Sequence, residues 1–190
     1  MKPTGAILAG GQSLRMGKPK EGVIMPDGRR MMEPIIASLS EVCKQIVIVG
    51  TCRGFSIRPE LGLLHLLDTN PGMGPLAAVA TLLQSGIDAK GYIITACDQP
   101  HLTTDLLRLL VKAPSDLPGI LQPEKGEMLL PFPGYYPVSW RLEIEKWLQA
   151  GERSICRVLA ESRVTYLSFP EEWEGCLRNF NTPADLSQVY

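Results

Sequence analysis

Arg15, Lys18 and Lys20 follow a glycine pair, Gly10-Gly11, and flank a third glycine, Gly17. Glycines let backbone N–H groups come close to phosphate oxygens because no Cβ intervenes. Cations at close range neutralise the charge that amides alone cannot. This combination is suited to a polyphosphate. It differs from two well-known phosphate loops. The dinucleotide fingerprint needs Gly-x-Gly-x-x-Gly, which Gly10, Gly11 and Gly17 do not satisfy. The Walker loop needs four residues between its glycine and Gly-Lys-Ser/Thr. Here five residues separate Gly11 from Gly17-Lys18, and Pro19 stands where the magnesium-binding hydroxyl belongs. The plainer alternative is a strand and turn with a solvated basic edge.

Asp98 is the leading metal-ligand candidate. It ends the apolar run 91–97 and precedes Gln99-Pro100. A hard carboxylate oxygen suits Mg²⁺, which needs only one or two protein ligands beside substrate phosphates and water. The plainer alternative for Asp98 is a turn residue or a cap on the helix that begins near Thr103. Asp68 opens a loop with Gly72 and Gly74 ahead of a helix. Glycines and a helix N-terminus make an anion or base-edge platform. A carboxylate there would repel phosphate, so Asp68 suits a nucleobase or ribose donor, or an ordinary turn. Arg153 can grip a phosphate, and Asn179 and Asn181 precede a terminal helix capped by Thr182, with Asp185 in its first turn. Asn181 can complete a metal shell or bind an acceptor. Trp140, Trp147, Tyr135 and Tyr136 read as core before they read as an acceptor wall. Cys97 reads as a buried thiol, not a nucleophile.

The elements that must position these residues alternate. Strands are predicted over 6–9, 45–50, 63–67 and 91–97, with helices over 31–43, 75–84 and 103–111 between and after them. Alternation of this kind implies a mostly parallel sheet with right-handed crossovers and ligands beyond its C-terminal strand ends. The segments 10–20, 68–76 and 98–100 should therefore share one rim. Further on, 119–123 reads as a strand and 131–137 as loop or irregular edge. Helices are predicted over 138–149 and 155–161, the latter capped by Ser154, then a strand over 163–169 and a helix over 183–189. With 190 residues and 45% apolar composition, one domain over 1–190 has enough core. The net charge of −1 without charge blocks argues against nucleic acid as a partner. Five cysteines, without a Cys-x-x-Cys pair, fit a reducing cytoplasm. No signal peptide is read, because 5–9 is too short, and no run approaches a membrane span.

Taken in order, Leu8-Ala-Gly-Gly-Gln-Ser-Leu-Arg-Met-Gly-Lys-Pro-Lys20, Asp68 with Pro71-Gly-Met-Gly-Pro-Leu76, Ala96-Cys-Asp-Gln-Pro100, Gly151-Glu-Arg153 and Asn179-Phe-Asn-Thr-Pro-Ala-Asp-Leu186 resemble the molybdenum cofactor guanylyltransferase family. The first block is shared with the wider nucleotidyltransferase superfamily; the Asn-x-Asn-Thr-Pro ending narrows it. The resemblance implies a Rossmann-like three-layer α/β/α domain of the nucleotide-diphospho-sugar transferase kind. It implies transfer of GMP from GTP to Mo-molybdopterin with release of pyrophosphate, and Mg²⁺ as cofactor. Residues 1–112 would then bind nucleotide and 113–190 the acceptor. Leu8, Ala9, Gly10, Gly11, Asp68 and Gly74 would contact GTP together with Lys20 and Asp98. Arg15, Lys20 and Asp98 would be catalytic, Asp98 would hold the metal, and Arg153, Asn179 and Asn181 would face the acceptor. A molybdenum-insertion protein or a molybdoenzyme is a conceivable protein partner. Gly50 and Ala78 depart from the family pattern, where relatives can carry Asn and Gly. A CTP-using relative, one with a sugar- or polyol-phosphate acceptor, and a non-catalytic GTP-binding module remain as alternatives.

Overall fold

The computed structural model describes residues 2–10, 16–17, 19–57, 60, 62–113, 116–125 and 129–186. Among them, seven strands form one sheet in the order β3-β2-β1-β4-β6-β5-β7. These are β1 (Thr4–Leu8), β2 (Gln45–Val49), β3 (Leu63–Leu66), β4 (Gly91–Ala96), β5 (Gly119–Pro123), β6 (Gly134–Pro137) and β7 (Thr165–Phe169). β1 lies between β2 and β4 and pairs with both in parallel; β3 extends the sheet beyond β2. Only β6 runs against its neighbours, pairing antiparallel with β4 and β5. The helices are α1 (Met32–Val42), α2 (Pro75–Gln84), α3 (Thr104–Val111), α4 (Arg141–Gln149), α5 (Ile155–Glu161) and α6 (Pro183–Leu186).

Strand side chains alternate between faces, and the central strands use the alternation to build two cores. Ile7, Ile46, Ile48 and Ile93 face one way, onto Ile35 and Leu39 of α1 and Leu106 and Leu110 of α3. Ala6, Val47, Val49, Tyr92 and Ile94 face the other, onto α2, α4 and α5 through Val79, Leu82, Ile144 and Val158. The result is the three-layer arrangement with a mostly parallel sheet. Because both faces are covered, these strands read as continuous apolar runs. Thr103 and Ser154 cap α3 and α5 through their side chains. No helix among the described residues is long and apolar enough to cross a membrane.

The segment 131–137 differs from expectation. Its prolines and glycine read as a loop, yet Gly134–Pro137 is an interior strand. The prolines escape the usual penalty because Pro131 and Pro133 precede the strand and Pro137 is its last residue. Tyr135 joins one core and Tyr136 the other. Trp140 is buried in the second core as well, with its ring 5.6 Å from that of Tyr136. Packing, not an acceptor wall, accounts for these aromatics. The terminal helix is described as far as Leu186; the remainder of the predicted 183–189 lies outside the described residues.

Candidate active site

Since β3, β2, β1 and β4 run parallel, the loops that leave them emerge at one edge. There a cleft of about 320 Å³ is lined by Leu8, Ala9 and Gly10 after β1, Val49 and Gly50 after β2, and Asp68, Gly72, Gly74, Pro75 and Ala78 around the start of α2. Gly50 has φ +111, a region that favours glycine, and a Cβ there would lie 2.6 Å from the Ala9 carbonyl oxygen. The Gly10 and Gly50 backbones accordingly pack together and form the floor between two strand ends. Gly74, at φ +85, precedes α2 without supplying a side-chain cap, so the first N–H groups of the helix have no such partner. A Cβ at Gly74 would meet the Arg153 carbonyl oxygen at 3.2 Å. The loop before α5 therefore closes on the cleft at this point.

A charged cluster occupies the β1–β4 side of the rim. Lys20 opens the 3-10 turn Lys20–Gly22. The neighbouring Glu21 is buried, and its Oε1 accepts a hydrogen bond from the Arg53 amide at 2.8 Å. Below the turn, Met16, Val23, Met25 and Met31 pack on Phe180. Thus anchored, Lys20 Nζ reaches Asp98 Oδ2 at 2.8 Å and Asn181 Oδ1 at 2.5 Å. The Lys20 and Asp98 side chains are only 17% and 12% exposed, so the pair is shielded from bulk water. The other carboxylate oxygen, Asp98 Oδ1, is buried without a hydrogen-bond partner among the described residues. The Asp98 carbonyl accepts from the Phe180 amide at 2.8 Å. Gln99, 2% exposed, donates from Nε2 to the Phe132 and Leu177 carbonyls at 2.9 and 3.2 Å. Residues 98 and 99 thus fix the 177–181 segment to the end of β4. Burial pushes the Cys97 thiol far above its ordinary range, which suits a packed side chain and not a nucleophile.

The far end of that segment is held by Asp185. Its Oδ2 accepts from the Asn181 and Thr182 amides at 2.9 and 2.8 Å and from the Thr182 hydroxyl at 2.9 Å. The Thr182 carbonyl in turn accepts from the Asp185 amide at 3.1 Å, so Thr182 and Asp185 bracket the first turn of α6, with Asp185 supplying the side-chain acceptor. The Thr182 hydroxyl first, then the two amides and Arg178, hold the Asp185 carboxyl down at about 2 from an ordinary 3.8. A depressed folded-state pKa stabilises above the unfolded value and ceases to do so as pH falls through the folded one. The stability difference between the parent and Asp185→Asn is therefore expected to be constant above about pH 4 and to shrink toward pH 2, as thermal melts across that range would read.

Of the residues singled out from sequence, Leu8, Ala9, Gly10, Asp68 and Gly74 line the cleft. Lys20, Asp98 and Asn181 form the cluster. Gly11 and Arg15 lie outside the described residues. Arg153 borders the cleft through its backbone against Gly74, and no hydrogen bond or ion pair among the described residues joins it to the cluster. Asn179 is exposed beside the docked Phe180. Glu21, Thr81 and Gln99 escaped sequence reasoning. A lone polar residue in an apolar run marks Thr81, and Gln99 adjoins Asp98 in the block already quoted, but their partners are remote in sequence. The described residues contain no group of three or more His, Cys, Asp or Glu that could hold a metal.

Residues 5–164 match the MobA-like NTP transferase domain. A probable molybdenum cofactor guanylyltransferase of Rhodopirellula baltica is 32% identical, over 98% of this chain and 90% of its own. One from Carboxydothermus hydrogenoformans is also 32% identical, over 98% and 94%. Among solved structures, the molybdopterin-guanine dinucleotide biosynthesis protein A of Archaeoglobus fulgidus is similar with a TM-score of 0.70 at 23% identity, covering 97% of this chain and 95% of that one. The 2-C-methyl-D-erythritol 4-phosphate cytidylyltransferase of Thermus thermophilus gives 0.71 at 17% identity, covering 98% and 96%. The two structures share the fold, and the sequence relatives go further: the chain is a nucleotidyltransferase and belongs to the MobA-like family, among the molybdenum cofactor guanylyltransferases.

Proposed function

We propose that the chain transfers GMP from GTP to the phosphate of Mo-molybdopterin, in molybdenum cofactor biosynthesis in the cytoplasm. The observation that carries this reading is the lysine–aspartate–asparagine cluster beside a glycine-floored cleft on one rim. The cleft, with Asp68 at its wall, would take the nucleoside. Lys20, with Arg15 and the amides of Gly10 and Gly11, would take the phosphates. The 113–190 part, through Arg153, Asn179 and Asn181, would take the acceptor. Five free cysteines accord with the cytoplasm.

A molybdopterin phosphate oxygen attacks the α-phosphorus in line. The new P–O bond replaces the bond to the bridging oxygen, and the electron pair leaves with pyrophosphate. The attacking phosphate is already ionised near neutral pH, so the protein need supply no general base and no nucleophile. Its task is to bring two anions together and offset their charge. Lys20 would do so for the departing pyrophosphate. Family membership suggests a divalent metal, and we take it to be Mg²⁺. The buried Asp98 Oδ1, without a partner among the described residues, and the amide oxygen of Asn181 are hard donors that fit such an ion. When bound, the ion would supply further neutralisation of phosphate charge.

Incubation with each of the four nucleoside triphosphates, Mg²⁺ and molybdopterin, followed by mass analysis, tests the reading. The guanine dinucleotide is expected as the main product. Product from CTP in preference to GTP would overturn it, as would stable GTP binding without pyrophosphate release.

A further inference from the structure

Thr81 sits in the middle of α2, 4% exposed, in a helix whose other buried residues are all apolar. A β-branched hydroxyl residue is a mediocre helix former, and a buried hydroxyl needs partners. Thr81 finds them outside its helix. Its Oγ1 lies 2.8 Å from Thr69 Oγ1 and 3.2 Å from Asp68 Oδ1, as well as 3.1 Å from the Ala77 carbonyl. A hydroxyl has one proton to give. Asn70 Nδ2 donates to Thr69 Oγ1 at 3.2 Å, and the Thr69 hydroxyl can in turn give its own proton to Thr81. The Thr81 proton then goes to Asp68, because a carboxylate is a stronger acceptor than a peptide carbonyl. Asp68 Oδ1 also accepts from the Asn70 amide at 2.9 Å. Both donors use the same oxygen. Among the described residues Asp68 Oδ2 receives no hydrogen bond, and Asp68 lines the cleft.

We propose that Thr81 is a positioning residue for the nucleotide: it fixes the Asp68 carboxylate by Oδ1 so that Oδ2 alone is offered to a donor on the nucleoside. This rests on the reading of the cleft as the GTP site. The relay runs from the loop after β3 into the rigid helix α2. It removes the rotational freedom that an exposed aspartate would otherwise lose on binding. Thr81 itself does not touch the ligand.

Calorimetric GTP binding by the full chain, with steady-state transfer kinetics, tests this. Thr81→Val is expected to weaken GTP about tenfold, through KM, with kcat within about twofold. Thr81→Ser, which keeps the hydroxyl, is expected to restore affinity to within about twofold of the parent. In an Asp68→Ala background, Thr81→Val is expected to add nothing, because the group it positions is gone. A multiplicative loss in that background, or no rescue by serine, would mean a general packing role and would overturn the proposal. If the parent fails to bind GTP, the function proposed above falls. If the parent binds and Thr81→Val binds equally well, only the role of Thr81 falls.

Discussion

Lys20→Ala is expected to lower kcat/KM by about 10²–10³-fold, with kcat carrying most of the loss. Removing one preorganised donor aimed at developing charge costs about 3–4 kcal/mol in comparable sites. On the proposed reading Lys20 is such a donor, and its turn is pinned by Glu21 and by the methionine–Phe180 cluster. The ammonium already faces the rim through Asp98 and Asn181. The substitution also strips Asp98 Oδ2 of this cation, beside an Oδ1 that has no partner among the described residues. A shielded carboxylate with neither partner is costly, so a lower melting temperature is expected in the absence of ligands. A divalent ion on the carboxylate would reverse part of that loss. Steady-state kinetics and melts with and without Mg²⁺ would separate the two effects. Full turnover by Lys20→Ala would mean that the pair is a structural ion bridge, and the site would have to be sought elsewhere.

The left half of the sheet was legible because its signal is local. Runs such as Gln45–Val49 and Gly91–Ala96 are apolar at nearly every position, as strands covered on both faces must be, and alternation with helices set their order. Loops after parallel strands had to share a rim, so Gly10, Asp68 and Asp98 could be grouped from sequence. The right half was harder to read. In 131–137, proline carries a local signal for loop that pairing with β4 and β5 overrides. The approach of Asn181 to Lys20 depends on Phe180 docking on Asp98 and on Asp185 gathering two amides. The Asp185 contacts are local, but the docking of Phe180 on Asp98 and the approach of Asn181 to Lys20 span long gaps in sequence with no periodic mark. Thr81 stands in plain view as a polar residue in an apolar run and Gln99 beside Asp98, but a single sequence does not say which remote partner satisfies a buried polar group.

Gly50→Asn, which installs the residue that the family resemblance implies here, is expected to destabilise this protein by about 3 kcal/mol or more. Two costs add. A non-glycine residue at φ +111 costs about 1–3 kcal/mol in backbone strain. A Cβ placed 2.6 Å from the Ala9 oxygen and 3.0 Å from Gly10 Cα meets backbone on both counts, which cannot rotate away as a side chain would. Relief requires the ends of β1 and β2 to part. Cys52 N donates to that same Ala9 oxygen at 3.0 Å, and Gly50 N donates to the Leu66 carbonyl at 2.9 Å. Parting the strands would strain the Cys52–Ala9 bond and the 2.7 Å bond from the Ala9 amide to the Val49 carbonyl, and would widen the floor on which the nucleotide is proposed to sit. For a chain of this length each kcal/mol moves the melting temperature by about 2–4 °C, so a fall of about 6–12 °C is expected, together with weaker GTP binding. Ala78→Gly, the other departure from the family pattern, introduces no Cβ and is expected to cost only about 1 kcal/mol of helix propensity. A Gly50→Asn protein that melts with the parent would show that the β1 and β2 ends yield without cost. An asparagine at this position would then be open to this chain, and nucleotide choice could be tested on it directly.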